Sequence, residues 1–520
     1  MANREMLAPL IAAALTMSAA ADSYVVTLDP SARSEPATGR VILFFITKSD
    51  VNWDRTSPLE GPFYDDPQPI GSIAVTNVKP GDSVSIDGSA FAFPHSVDLL
   101  DGRIRVQAVL DVDNTERSFL DGPGNVISEA VSATVSKDGD DRVELRLTKR
   151  IEPRPLPRDT DNVKWFELRS EMLSAFYGRD VHHRAGVALP KGYHRAGETR
   201  RHWPAIYIIP GFGGRYDDEV DGAADYAMML EVGDETMLPQ AAHIVLDPES
   251  PLGHHGFVDS PNHGPRGTAL VRELIPFLES KLRLVAKPEA RIVTGYSSGG
   301  WSSLWLQLQW PDVFGACWSG APDPVDFSAF QMSDLYRDAN IYFDAAGREQ
   351  PSYRRQRGPN DELVMMTVRQ ECLMEHAMSP QGASGEQWDA WEAMFSPRNA
   401  ASGLPRPLFD ALTGAIDRDV AMAWQPFDIT RIVASDWERF GPIVAGRIRL
   451  AVGAKDSFYL HRAVEKFSAM IVQKQAEKRF DGAGYIFIHP TATHGNLNRH
   501  ILPRWTDEMV RYLRESGLGK

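Results

Sequence analysis

From Ser23 to about Leu147, apolar and β-branched residues recur in short runs, many of them alternating with polar positions and separated by Gly, Pro and Asp. A period of two with frequent turn residues predicts strands rather than helices. The candidates are Tyr24–Leu28, Arg40–Ile46, Ser72–Val75, Ser83–Ile86, Arg103–Leu110, Val126–Val135 and Arg142–Leu147. So many short strands with so few helical repeats favour a β-sandwich over an α/β layer. The pattern changes at Ile151-Glu152-Pro153-Arg154-Pro155-Leu156-Pro157, whose proline density reads as a stiff surface connection. Beyond it, Val163–Leu168 and Val181–Leu189 read as leading strands. Ala205–Ile209 is an unbroken apolar run between prolines, suited to a sheet covered on both faces. His243–Leu246, Arg291–Thr294, Val313–Trp318, Ile448–Val452 and Tyr485–Ile488 follow, with helical segments between many of them. That alternation predicts a doubly wound, mainly parallel α/β sheet.

The stretch from about 327 to 440 breaks this rhythm. Asp361–His376, Gly385–Phe395, Leu408–Ala415 and Asp419–Trp424 carry helical patterning, in a segment rich in Trp, Phe, Tyr and Met. It is expected to be a helical insertion over the sheet's C-terminal edge, where open α/β folds bind ligands. The domain reading is therefore a leader at 1–21, a β-sandwich at 22–150, and an α/β domain at 151–520 that carries the insertion.

Composition narrows the class. Hydrophobic residues at 43 % and charged residues at 24 % permit a large core and argue against disorder. Lys and Arg number 55 against 70 Asp and Glu, a net charge of −15 that disfavours a broad grip on nucleic acid or anionic lipid. The apolar run Met6–Met17 followed by Ser18-Ala19-Ala20-Ala21 reads as a signal peptide cleaved before Asp22, so the expected location is secreted or periplasmic. No later stretch is apolar for the roughly 20 residues a spanning helix needs. Cys317 and Cys372 could form at most one disulfide or remain as two buried thiols. His254, His255 and His263 fit no tetrahedral zinc spacing, so no metal is expected from them.

The sharpest chemical signal is Gly295-Tyr296-Ser297-Ser298-Gly299, a G-x-S-x-G sequence between a strand and a helix. Small residues permit a sharp turn that projects the Ser297 hydroxyl, making Ser297 the candidate nucleophile and the adjacent Ser298 a weaker rival for that role. A serine hydroxyl needs a base, and the base an orienting acid. Asp456 follows the strand Ile448–Val452, and His494 follows Tyr485–Ile488, in the order Ser, acid, His. His489 and Asp481 are the weaker alternatives. Pro210-Gly211-Phe212-Gly213-Gly214 follows another strand, and its glycines permit close backbone approach. Phe212 or Gly213, with the Ser298 N–H, are the expected oxyanion donors. Tyr296, Trp388 and Trp391 are candidates for substrate binding, although burial in the inserted region explains the tryptophans equally well.

Gly295 to Gly300, Phe212 to Gly214, Asp456 and His494 together resemble the α/β-hydrolase superfamily, and more closely its putative-esterase branch, similar to esterase D and enterochelin esterases. Asn262-His263-Gly264-Pro265-Arg266-Gly267 and Glu273–Glu279 also resemble that branch. The resemblance spans about Trp165 to Leu513 and leaves the amino-terminal region outside it. It implies acyl transfer from a carboxylic ester to water with no cofactor, acting on a small-molecule or carbohydrate-linked ester. A serine peptidase and a non-catalytic glycan-binding protein on the same fold are the alternatives, and the oligomeric state stays open.

Overall fold

The computed structural model describes residues 23–47, 55–61, 63–137, 139–198, 200–232 and 238–518. The leader expected at 1–21 lies outside them. The described residues form two large sheets, one on each side of the Pro153–Pro157 connection.

The amino-terminal sheet joins nine strands. Ser23–Leu28 pairs in parallel with Arg142–Arg150 and antiparallel with Ser83–Ile86, while Ala37–Ile46 lies between Ile70–Val78 and Gly102–Asp111. Alternation explains the burial directly. Val143, Leu145 and Leu147 point into a core with Val41, Leu43 and Phe45, whereas the exposed residues between them face water. Ala37–Ile46 is buried on both faces, because Ile42 and Phe44 pack instead against Met366, Met374 and Met378 from the region 327–440. The unbroken run Val41–Ile46 thus records a strand between two cores. The reading of Val126–Val135 as one strand needs correction: Glu129 and Ala130 interrupt it, leaving Val126–Ser128 and Val131–Val135.

The second sheet has eight strands in the spatial order Val163–Arg169, His182–Ala188, Ala242–Leu246, Ala205–Ile209, Arg291–Tyr296, Ala316–Gly320, Ile448–Gly453 and Tyr485–His489. The pairings made by His182–Ala188 are antiparallel, and all those from Ala242–Leu246 onward are parallel. Ala205–Ile209, Ala242–Leu246, Ala316–Gly320 and Ile448–Gly453 are buried at every position, as a sheet with helices on both faces requires. The final helix runs from Leu497 to Glu515, through Pro503.

The region 327–440 is less helical than its pattern suggests. Pro351–Gly358 and Asp361–Thr367 form a hairpin, and the helix begins only at Val368. Thr367 and Gln370 make a capping box there, which halts the helix at the residue where the apolar spacing alone would carry it onward. Leu408–Ala415 is not helical either. The Asp410 carboxylate accepts the N–H groups of Leu412 and Thr413, and such a side-chain turn competes with helix. Helices are present at Gln387–Phe395 and Arg418–Ala423, close to expectation. No helix of the described residues is long and apolar enough to cross a membrane.

Candidate active site

Ser297 stands between the strand Arg291–Tyr296 and the helix Ser298–Gln309 with φ 58° and ψ −125°. A side chain is strained there by about 1–3 kcal/mol, so the surroundings must hold it. They do so through the backbone: Ser297 N–H donates to the Gly320 carbonyl at 2.9 Å, and Asp323 N–H donates to the Ser297 carbonyl at 3.3 Å. The turn also demands Gly299, since a Cβ at that position would overlap the Ile209 and Pro210 carbonyls. Small residues are thus required by contact with the neighbouring strand end.

His494 Nδ1 lies 2.8 Å from Asp456 Oδ2. Asp456 is fully buried and accepts the N–H groups of Phe458 at 2.9 Å and Leu460 at 3.3 Å. Burial pushes its carboxyl upward, but the His494 ring and these donors outweigh it and hold the group below its ordinary value. Phe458 and Tyr296 stand edge-on to the imidazole at 4.9 and 5.1 Å. Ser297 and His494 open onto one cleft of about 1020 Å³, which Phe212, Tyr353, Trp391 and Phe458 also line.

The contacts of the other candidate residues differ from one to the next. Gly211 approaches Ser297 so closely that a Cβ on it would stand 3.3 Å from the serine's own, which sets Phe212 on the cleft wall. Gly213, at φ 79°, lies on an adjoining cavity. Ser298 donates its hydroxyl to Asp323 Oδ2 at 2.7 Å, which occupies it. Trp391 lines the cleft and donates its indole N–H to the same oxygen at 2.8 Å. Tyr296 and Trp388 differ from the substrate-contact expectation. The Tyr296 hydroxyl donates to the His494 carbonyl, and Trp388 is packed among Phe330, Trp391 and Phe409. Of the weaker rivals, His489 stacks on His500 at 4.1 Å, and Asp481 pairs with Arg479 on the surface.

The histidine-rich loop supports the site mechanically. His254 Nε2 lies 3.1 Å from the Pro210 carbonyl, and its Nδ1 accepts the Gly256 N–H. Burial lowers its pKa to about 4, so the ring is neutral at pH 7. Among the described residues no group of three or more His, Cys, Asp or Glu could hold a metal ion. Cys317 and Cys372 are separate buried thiols.

Asp323 is the site residue that sequence reasoning missed. Its only signal was its place just beyond a predicted strand, next to the strand that leads into Ser297. Burial raises its pKa to about 6, against the indole and Ser298 donors. Between pH 4 and 6 the native chain therefore holds a proton here that the unfolded chain releases, so this group's contribution to stability falls as pH rises. Asp323→Asn removes that dependence. Its stability relative to the parent is expected to rise from pH 4 to 6 and then level off, measured by denaturant unfolding at each pH.

The eight-stranded, mainly parallel sheet, with a strained serine at the end of the strand Arg291–Tyr296, fits an α/β-hydrolase fold. Residues 178–406, somewhat under half of the chain, match the family described as "Putative esterase". The match contains Ser297 and ends before Asp456 and His494. Similar solved structures include a ferulic acid esterase, 14 % identical with TM-score 0.38, covering 67 % of this chain and 98 % of that one. An S-formylglutathione hydrolase from Agrobacterium tumefaciens is 12 % identical with TM-score 0.36, covering 69 % and 98 %. A fluorophosphonate-binding serine hydrolase of Staphylococcus aureus is 10 % identical with TM-score 0.36, covering 67 % and 97 %. No curated protein matches the chain.

Proposed function

We propose that the protein cleaves carboxylic esters through a Ser297, Asp456, His494 triad and an acyl-enzyme. The observation that carries this reading is the 2.8 Å His494–Asp456 hydrogen bond beside a serine in strained backbone, on one cleft. With Nδ1–H donated to Asp456, Nε2 is left to take the Ser297 proton as Oγ attacks the ester carbonyl. The N–H groups of Phe212 or Gly213 and of Ser298 stabilise the oxyanion. His494 then gives its proton to the departing alcohol. Water attacks the acyl-enzyme with His494 as base, releasing the acid and restoring Ser297. Every step uses groups of the chain and water.

The substrate we infer is a small-molecule or carbohydrate-linked ester, since the cleft joins aromatic walls to polar groups such as Gln331 and Asn496. Matched p-nitrophenyl acetate and acetyl p-nitroanilide separate esterase from peptidase. Turnover of the ester at least about 100-fold faster is expected, whereas comparable rates would favour the peptidase. No turnover of either would favour a binding protein.

We further read residues 22–150 as a β-sandwich, residues 151–520 as the hydrolase domain, and residues 1–21 as a leader that directs export. The interior core of Val41, Leu43, Phe45, Val143 and Leu145 supports the first of these. Export is expected to yield a mature chain beginning at Asp22, which N-terminal sequencing of the exported protein checks. A chain beginning at Met1 in that fraction would contradict it.

A further inference from the structure

The segment that follows Ile209 contains Gly211, Gly213 and Gly214, and such a chain is intrinsically loose. Oxyanion donors, however, must lie within about 2.7–3.1 Å of the developing charge, and a misplacement of about 1 Å can cost about 100-fold in rate. Something outside the segment must hold it. His254 grips the Pro210 carbonyl at one end. At Phe212 and Gly213 the holding group comes from the amino-terminal unit.

Arg117 lies between Gly102–Asp111 and Val126–Ser128, outside the hydrolase sheet. Its guanidinium carbon stands 4.9 Å from the centre of the Phe212 ring. Its Nη2 lies 3.4 Å from the place a Cβ on Gly213 would occupy. The guanidinium is itself fixed by two buried carboxylates: Nε to Glu249 at 2.5 Å and Nη1 to Glu386 at 3.2 Å. Glu249 belongs to the same loop as His254, and Glu386 precedes the helix that carries Trp391. Tyr64, also from the amino-terminal unit, donates its hydroxyl to Glu386 at 3.1 Å. Three separate parts of the chain thus converge on one arginine behind the glycine-rich segment. A planar cation both stacks on a ring and forks between two carboxylates, which an ammonium group cannot reproduce.

We propose that Arg117 is a positioning residue for the oxyanion segment: it clamps Phe212 so that the backbone N–H of Phe212 or Gly213 faces the ester carbonyl beside Ser297. The catalytic site is then incomplete without the amino-terminal unit, although that unit supplies none of the triad. This inference rests on the serine-esterase reading.

The test is a double-mutant cycle on the full chain with Arg117→Lys, Phe212→Leu and their combination, using p-nitrophenyl acetate. Lysine keeps a cation near Glu249 and Glu386, while leucine removes the ring and keeps the backbone N–H. Arg117→Lys is expected to lower kcat about tenfold with KM within about twofold. In the Phe212→Leu background the same change should cost less than about twofold, because the contact through which it acts is already gone. Thermal unfolding of all four proteins reports their folding separately. An equal kcat loss in both backgrounds overturns the proposal, as does a raised KM with parent-like kcat. An inactive parent would instead remove the esterase reading, and this inference with it.

Discussion

Ser297→Ala is expected to lower kcat for ester hydrolysis by about 10⁵–10⁶-fold while the protein remains folded. The change deletes one oxygen and leaves the Ser297 N–H on the Gly320 carbonyl and the helix that follows intact. What activity remains would come from the oxyanion donors acting on water. Ser297→Gly gives a second, independent reading. It removes the Cβ from a backbone at φ 58° and ψ −125°, so it should be as inactive as the alanine variant yet more stable by about 1–3 kcal/mol. Chemical denaturation of the three proteins checks the order. A glycine variant less stable than alanine would mean that the turn is not strained.

Asp456→Asn is expected to cost about 10⁴-fold in kcat with little effect on stability. The amide oxygen can still accept the Phe458 and Leu460 N–H groups, so the loop keeps its shape. Asparagine carries no charge to stabilise the imidazolium that forms as His494 takes the serine proton, and its NH₂ favours the wrong imidazole tautomer. The parent's Asp456 carboxyl is held below its ordinary value. The stabilisation its carboxylate contributes is therefore present above about pH 4 and is lost only as pH falls through the folded value. Raising the pH cannot rescue Asp456→Asn, which rate measurements from pH 6 to 9 would show. Combining Asp456→Asn with Ser297→Ala should add almost nothing to the loss from Ser297→Ala alone, since both act on one proton transfer.

How far the fold was legible depended on which interactions decide each part. The buried parallel strands announce themselves as local apolar runs, and all of the strands expected in the hydrolase sheet are present there. The region 327–440 was harder because its choices are settled by side-chain bonds. Thr367 with Gln370 and the turn built on Asp410 each override an apolar spacing that reads as helix. The two-sided burial of Ala37–Ile46 depends on methionines more than 300 residues away, which no local pattern reveals.

The candidate site divides in the same way. Ser297, Asp456 and His494 each follow a recognisable strand, so local sequence was enough to nominate them. Tyr296 turns toward the His494 carbonyl and Trp388 into the core, because strand alternation and helix packing decide where side chains point. Asp323 and Arg117 carry no motif. Their significance lies in what they touch, Ser298 with Trp391 in one case and Phe212 in the other.

The most direct measurement is labelling with an active-site fluorophosphonate, followed by digestion and mass mapping of the adduct in the parent, Ser297→Ala and His494→Ala. A single adduct on Ser297 in the parent, its absence from Ser297→Ala, and a labelling rate reduced at least about 100-fold in His494→Ala are the expected results. An adduct on Ser298 or any other serine, or equal labelling of the parent and Ser297→Ala, would contradict the assignment of Ser297 as the nucleophile.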